Sequence, residues 1–263
     1  MRMAIHIMGS KGILPYIPGS SKMKKILVTN DDGIDSDGLI RLVKEAKKYG
    51  EVLVVAPGDQ RSASSHSISL RNSIDIFPHD FPVEGVKAYS CSGTPADCIR
   101  VGSVFIMSEK PDIVLSGINY GYNSATDIQY SGTCGAAFEG AFLGAHAIAV
   151  SEQACSCHEV TDRYLPGLLA ELIENPLPYG TIHNINFPGC PLSECRGILR
   201  DRSVSRSEFY TDRYTVIEKL LGNGQRVMVN GIYREIAEDG TDMKALIENY
   251  VSVGMVNNVG ILR

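Results

Sequence analysis

Positive charge in excess is the first thing this chain lacks. Its 25 Lys and Arg are outnumbered by 30 Asp and Glu, for a formal charge of −5. That balance offers no footprint for duplex nucleic acid or an anionic membrane. Long apolar runs are missing too; none approaches the ~20 residues of a membrane-spanning helix. Zinc-type spacing is absent: Cys155, Cys157, His158, Cys190 and Cys195 can be drawn around a zinc ion, yet neither cysteine pair has the two-residue gap of a zinc knuckle. The seven cysteines, an odd number without a convincing secretory signal, read as reduced thiols in a cytoplasmic protein.

Acidic residues are absent from residues 1–22, which hold Arg2, Lys11 and Lys22 and the loop formers Gly12, Pro15, Pro18 and Gly19. This stretch reads as an upstream or non-native extension, with the folded chain expected to start at Met23. The remaining length suits one large α/β core over 23–190 and a C-terminal extension over 191–263.

What the sequence does hold is acid at the end of a buried strand. Ile26, Leu27 and Val28 form a short apolar run typical of a parallel strand covered on both faces, and Asn30, Asp31, Asp32 and Gly33 follow it. Ligands of open α/β sheets bind just outside the carboxyl ends of strands. Two adjacent carboxylates there resist burial unless a cation neutralises them, and a hard divalent ion is the simplest one. An Asx-rich turn would use the same residues.

Further down the chain the βαβ rhythm continues. Leu39, Leu42, Val43 and Ala46 make a helical stripe that Gly50 is expected to end, and Glu51–Pro57 reads as a second strand. The polar loop after it carries Arg61, Ser62, Ser64, Ser65 and His66, all able to touch metal or phosphate. Residues 68–77 alternate and suggest an excursion strand. Thr94 and Pro95 fit the N-cap and N1 positions of a helix. Pro111–Gly117 predicts a third strand, leading into Asn119 and Asn123. Ser131, Gly132 and Thr133 open a small-residue helix whose N-terminus is suited to an anion. Strands are expected at 147–150 and 181–187. Beyond Gly189 the rhythm breaks into a β-prone tail, with a turn at 222–224, strands at 227–234 and 250–256, and a short helix at 242–248.

The strings Asn30-Asp31-Asp32-Gly33, Arg61-Ser62-Ala63-Ser64-Ser65-His66, Gly93-Thr94-Pro95-Ala96-Asp97, Ser116-Gly117-Ile118-Asn119 through Asn123, and Ser131-Gly132-Thr133 together resemble the SurE family, stationary-phase survival proteins that act as metal-dependent 5′-nucleotidases. The resemblance runs from Met23 to about Phe187 and resumes weakly at Gly240-Thr241-Asp242 and Tyr250–Val253. It implies a Rossmann-like three-layer α/β/α sandwich with a mostly parallel sheet and a C-terminal β-hairpin extension that makes oligomer contacts in a homodimer or homotetramer. It implies hydrolysis of nucleoside 5′-monophosphates, with 3′-nucleotides and polyphosphate as further substrates, and one Mg²⁺ or Mn²⁺ per subunit. The implied metal ligands are Asp31, Asp32, Ser62 and Asn119, with Asp31, Asp32 and Asn119 in the chemistry. Ser131, Gly132, Thr133, Asn123, His66, Gly93 and Thr94 would contact phosphate or substrate. The segment 190–239 has no clear counterpart in the family's pattern.

Two rival readings use the same residues. A receiver-like Mg²⁺-binding signalling module also places acids at strand ends, but needs a phosphoacceptor Asp where this chain has Ser116-Gly117-Ile118-Asn119. A metal-dependent deacetylase or transferase would call for histidine-rich ligation, and only His66 lies in these loops.

Overall fold

Side chains on strand β1 (Lys24–Thr29) alternate between the two faces of a sheet: Ile26 and Val28 enter one apolar cluster and Leu27 the other. A strand covered on both sides needs a helical layer above and below. The computed structural model describes residues 23–207 and 210–258 and supplies both layers. The extension expected at 1–22 lies outside the described residues.

In chain order β1 is followed by α1 (Asp37–Ala46), β2 (Gly50–Pro57), β3 (Ile76–His79), β4 (Lys87–Cys91), and α2 (Pro95–Val101), which runs into a π-helical turn at Gly102–Ile106. Then come β5 (Ile113–Tyr120), α3 (Asp127–Tyr130), α4 (Gly132–Phe142), β6 (His146–Glu152), α5 (Glu159–Ile173) and β7 (Thr181–Phe187). The tail contributes β8 (Ile198–Leu199), β9 (Tyr210–Thr211), β10 (Tyr214–Lys219), β11 (Gln225–Val229), β12 (Ile232–Tyr233), α6 (Asp242–Ile247) and β13 (Val251–Asn257).

The main sheet has the order β3-β4-β2-β1-β5-β6-β7-β13-β8. From β4 to β7 all neighbours are parallel. Taken in chain order these six strands follow 3-2-1-4-5-6, the doubly wound arrangement whose crevice opens between the first and fourth strands, here β1 and β5. A receiver-like module would show 2-1-3-4-5 instead, so the topology overturns that reading. Helices α1 and α5 pack on one face, α2 and α4 on the other. The three-layer α/β/α class is the expected one.

Several local expectations are corrected. Gly50 does not end α1; it opens β2, so close to Lys24 that a Cβ would lie 2.1 Å from the Lys24 carbonyl oxygen. Of the alternating stretch 68–77 only its last two residues are strand. β3 includes Pro78 and pairs antiparallel with β4, a strand whose weakly patterned Lys-Ala-Tyr-Ser-Cys gave no sequence signal. Pro78 is tolerated because β3 is the outer strand. The expected extension 191–263 is divided: β8 and β13 complete the main sheet, while β9 to β12 form two separate two-stranded sheets. Hairpin β10–β11 is exposed along its length.

One buried ion pair ties the layers beside the crevice. Arg41 of α1 reaches Glu152 Oε1 at the end of β6 (2.7 Å) and Asp162 Oδ1 of α5 (2.6 Å). The Glu152 side chain is 5% exposed. Removing one partner of such a pair leaves a desolvated charge uncompensated. Arg41→Met is therefore expected to destabilise the fold by at least about 2 kcal/mol in urea unfolding. Adding Glu152→Gln to that variant should recover part of the loss; a second loss of equal size would show that the ion pair is not the cause.

Candidate active site at the carboxyl edge of the sheet

The turn after β1 is built by Asn30. Its side-chain amide donates to the Gly33 carbonyl (2.9 Å) and the Ser36 hydroxyl (2.7 Å), closing the loop onto the start of α1. The Ile34 N–H donates to the Pro57 carbonyl (2.8 Å), stitching the turn to the end of β2. These bonds fix the two carboxylates between them at the crevice between β1 and β5.

Asp31 is 3% exposed. Its Oδ1 accepts the Thr133 hydroxyl at 2.5 Å, and the Thr133 backbone N–H also donates to this carboxylate. Burial dominates these favourable bonds and, with the neighbouring Asp32 charge, pushes the Asp31 carboxyl up to about 6. Asp32 is more open. Its Oδ2 accepts the Tyr120 N–H at 2.8 Å, and burial together with the nearby Glu152 charge raises its pKa as well.

The remaining hard oxygen donors arrive from two other loops. Gln60 donates through Nε2 to the Ser62 hydroxyl (2.9 Å), with Asp32 Oδ1 at 3.5 Å from the same nitrogen. Asn119, near the end of β5, donates through Nδ2 to the Gly121 carbonyl (2.8 Å), which fixes the amide and leaves Oδ1 as its open end. Helix α4 then closes the floor. A Cβ on Gly132 would lie 2.6 Å from Ser64 Oγ and 3.0 Å from Asp31 Oδ2, so only glycine admits this approach. Ser64 Oγ is buried there without a hydrogen-bond partner among the described residues.

A family profile described as Survival protein SurE matches residues 26–208. The chain belongs to the SurE family. It is 38% identical to the 5′-nucleotidase SurE of Thermosipho africanus (strain TCF52B) over 230 residues, covering 87% of this chain and 89% of that protein. The 5′-nucleotidase SurE of Clostridium beijerinckii (strain ATCC 51743 / NCIMB 8052) is 40% identical over 235 residues, with coverages of 87% and 90%. The crystal structure of the SurE protein from Aquifex aeolicus superposes with a TM-score of 0.73 at 31% identity, covering 89% of this chain and 93% of that one.

Within this SurE fold several expected substrate contacts hold the scaffold instead. Thr133 gives its hydroxyl and N–H to Asp31, so the anion at the start of α4 is the protein's own carboxylate. The Ser131 hydroxyl caps the same helix by accepting the Cys134 N–H (3.0 Å). Asn123 is 5% exposed and lies in a side-chain network: its amide donates to Ser151 Oγ, and its carbonyl accepts from Asn184 and Asn186. Thr94 forms a capping box with Asp97 at the start of α2, and its hydroxyl donates to the Ser67 carbonyl (2.7 Å). Gly93 packs so tightly that a Cβ would lie 2.7 Å from the Asp97 Cβ. Thr94 thus tethers the loop that follows Ser62–His66, and Gly93 leaves room for the Asp97 side chain that holds Ser69.

His66 turns away from the carboxylates. Its Nε2 lies 2.8 Å from Glu139 Oε2, and its ring stacks on Phe142 with centroids 5.7 Å apart. Glu139 sits seven residues along α4 from Gly132, roughly 10 Å at 1.5 Å per residue. Although burial works against it, bonds from His66 and Arg100 hold the Glu139 carboxyl below the ordinary glutamate range.

Two contributors were not singled out from sequence: Gln60, which joins Asp32 to Ser62, and the Tyr120 N–H on Asp32. Gln60 stands two residues before Ser62, the one local hint of its role. The thiols proposed above as reduced donate to backbone carbonyls: Cys155 to Cys157 and Gly189, Cys157 to Cys190. No group of three or more His, Cys, Asp or Glu side chains is poised to hold a metal among the described residues. No described helix is long and apolar enough to cross a membrane.

The raised Asp31 pKa has a consequence for metal-free protein. The folded state holds this proton more tightly than an unfolded chain at the ordinary 3.8. The associated stability is full below pH 3.8 and is lost as pH rises through about 6. Without metal, Asp31→Asn should exceed the parent in stability at pH 7.5 by up to about 3 kcal/mol. The gain should vanish near pH 4 in chemical unfolding with EDTA present. Parallel stability profiles for the two proteins would refute the assignment.

Proposed function

We propose that this chain is a divalent-metal-dependent phosphomonoesterase that hydrolyses nucleoside 5′-monophosphates to nucleoside and phosphate. The observation that carries the reading is the pair Asp31 and Asp32, both pushed toward protonation by burial and neither paired with a cation among the described residues. Kinship with proteins named 5′-nucleotidase SurE supports the reaction class. 3′-Nucleotides and polyphosphate present the same terminal phosphoryl group and belong to the same proposal.

The donor set fits a hard cation. Two carboxylates, the Asn119 Oδ1 carbonyl and the Ser62 hydroxyl would hold one Mg²⁺ or Mn²⁺ per subunit, and none is a soft thiolate. Bound there, such an ion supplies Lewis acidity toward a phosphoryl oxygen and lowers the pKa of a water. The Gly132 N–H, at the start of α4 beside the Asp31 carboxylate, would be the backbone donor left for a substrate phosphate. Asp32, less buried than Asp31 and held by the Tyr120 N–H, would take the proton of the attacking water. Asp31, 3% exposed and held by Thr133, serves as the fixed charge rather than the nucleophile.

The same proposal includes a homodimer or homotetramer built through the tail, in a cytoplasmic protein. Val216 and Val227 face each other across hairpin β10–β11, and Ile217, Met228 and Val229 beside them are also exposed. Apolar surface of that kind is suited to cover by a second copy.

Chelation with EDTA should abolish phosphate release from AMP, and Mg²⁺ or Mn²⁺ should restore it. At saturating Mn²⁺, Asp32→Asn should lower kcat by about 100-fold or more, near 3 kcal/mol of transition-state stabilisation. Full turnover in excess EDTA, or a near-normal kcat in that variant, would sink the reading. For the assembly, light scattering should show Val216→Glu shifting the protein toward monomer.

A further inference from the structure

His66 leads away from the crevice to the far end of α4. The groups it touches there, Glu139 and Phe142, line a cavity of about 480 Å³ together with Arg100, Leu143 and Tyr179. Phe142 ends α4 and Tyr179 stands just before β7, so this cavity lies at the amino edge of the sheet, opposite the carboxylates. None of the chemistry above uses it.

Two features of its wall select a ligand. The first is a row of rings. Phe142 meets His66 with centroids 5.7 Å apart and planes at 19°, and Tyr179 with centroids 5.9 Å apart and planes at 39°. Tyr179 nevertheless stays 70% exposed, so an aromatic face is left open beside the cavity. The second feature is a cation with donors to spare. Arg100 Nη1 donates to Glu139 Oε1 at 2.9 Å, and the other nitrogens of this guanidinium make no hydrogen bond among the described residues. Its side chain is half-exposed, whereas Glu139 is buried. Both Glu139 oxygens are engaged, Oε1 by Arg100 and Oε2 by His66 Nε2 at 2.8 Å, so this carboxylate is balanced before any ligand arrives. The edge of Arg100 that carries Nε and Nη2 remains for a second, planar acceptor.

We infer that this cavity binds a small aromatic carboxylate, with its ring against Phe142 and Tyr179 and its carboxylate on the Nε–Nη2 edge of Arg100. The volume falls within the roughly 300–1,000 Å³ of small-molecule sites. Aromatic walls favour a flat ring, and the guanidinium fork matches a carboxylate in shape as well as charge. Occupancy is felt at the metal through His66. One short loop carries both His66 and the metal donor Ser62, and the Phe142 ring that the ligand covers is the ring on which His66 stacks. Ligand and metal hold the same loop, so each strengthens binding of the other by an equal factor. The coupling rests on the metal-dependent reading above; binding at Arg100 does not.

Isothermal calorimetry with 2-naphthoate tests the site. The parent protein should bind one equivalent with a Kd of about 1 mM or tighter. The uncharged 2-naphthylmethanol should bind about tenfold more weakly, and Arg100→Gln should erase that preference. Tyr179→Ala should weaken both probes about fivefold without moving the melting temperature. No naphthoate binding, equal affinity for the two probes in the parent, or binding that neither substitution changes would overturn the site. Naphthoate should also tighten Mn²⁺ binding about threefold, Mn²⁺ should tighten naphthoate binding by the same factor, and His66→Ala should remove both effects. Naphthoate that binds without altering Mn²⁺ affinity overturns the coupling. A parent protein that binds naphthoate but not Mn²⁺ refutes the metal reading and leaves the aromatic carboxylate site standing.

Discussion

Much of the crevice depends on the bond between Asp31 and Thr133. It joins the end of the central strand to the first turn of α4 across a sequence separation of 102 residues. The bond requires helix and strand to approach closely, which Gly132 permits, and it brings the positive end of α4 against a carboxylate. Burial still outweighs these donors, because removing a carboxylate from water costs more than two hydrogen bonds return. The protein therefore holds an anion in a place that favours neutralisation. That is unfavourable for the fold taken alone and useful to a site that must attract a cation.

The loops around this pair are held by capping chemistry as much as by core packing. The capping box at the start of α2 grips Ser67 and Ser69 through Thr94 and Asp97. Ser65 is pinned by its N–H and hydroxyl to the Tyr130 and Gln129 carbonyls beside α4. Upstream, the Arg61 N–H donates to the Asp31 carbonyl (2.7 Å), so the segment carrying Ser62 and Ser64 is held at both ends beside Asp31 and Asp32. Side chains that look like ligands on paper, Thr94 and Ser131 among them, serve as the clamps.

This explains what the sequence could and could not say. The apolar run of β1, the Asp pair after it and the Thr94-Pro95 helix start are local patterns, and they appear in the structure where the residues suggest. The destination of a hydroxyl is not local. Thr133 and Asp31, like His66 and Glu139, are far apart in sequence, and only the fold decides which donor meets which acceptor. The tail was hardest to read for the same reason. Nothing within Val251–Asn257 says that it pairs with β7, and β4 has too weak an alternation to announce a strand. Gln60 escaped notice because glutamine carries no charge signature, although its amide joins two of the proposed ligands.

The placement of β13 bears on how the chain matures. It pairs antiparallel with β7 on one side and parallel with β8 on the other. During synthesis the six parallel strands emerge first, so β7 stands as an open edge until the whole tail has been made. Unpaired edges of that kind recruit strands from other molecules. β13 therefore closes that border, and a chain cut short before Val251 would leave the β7 edge uncovered.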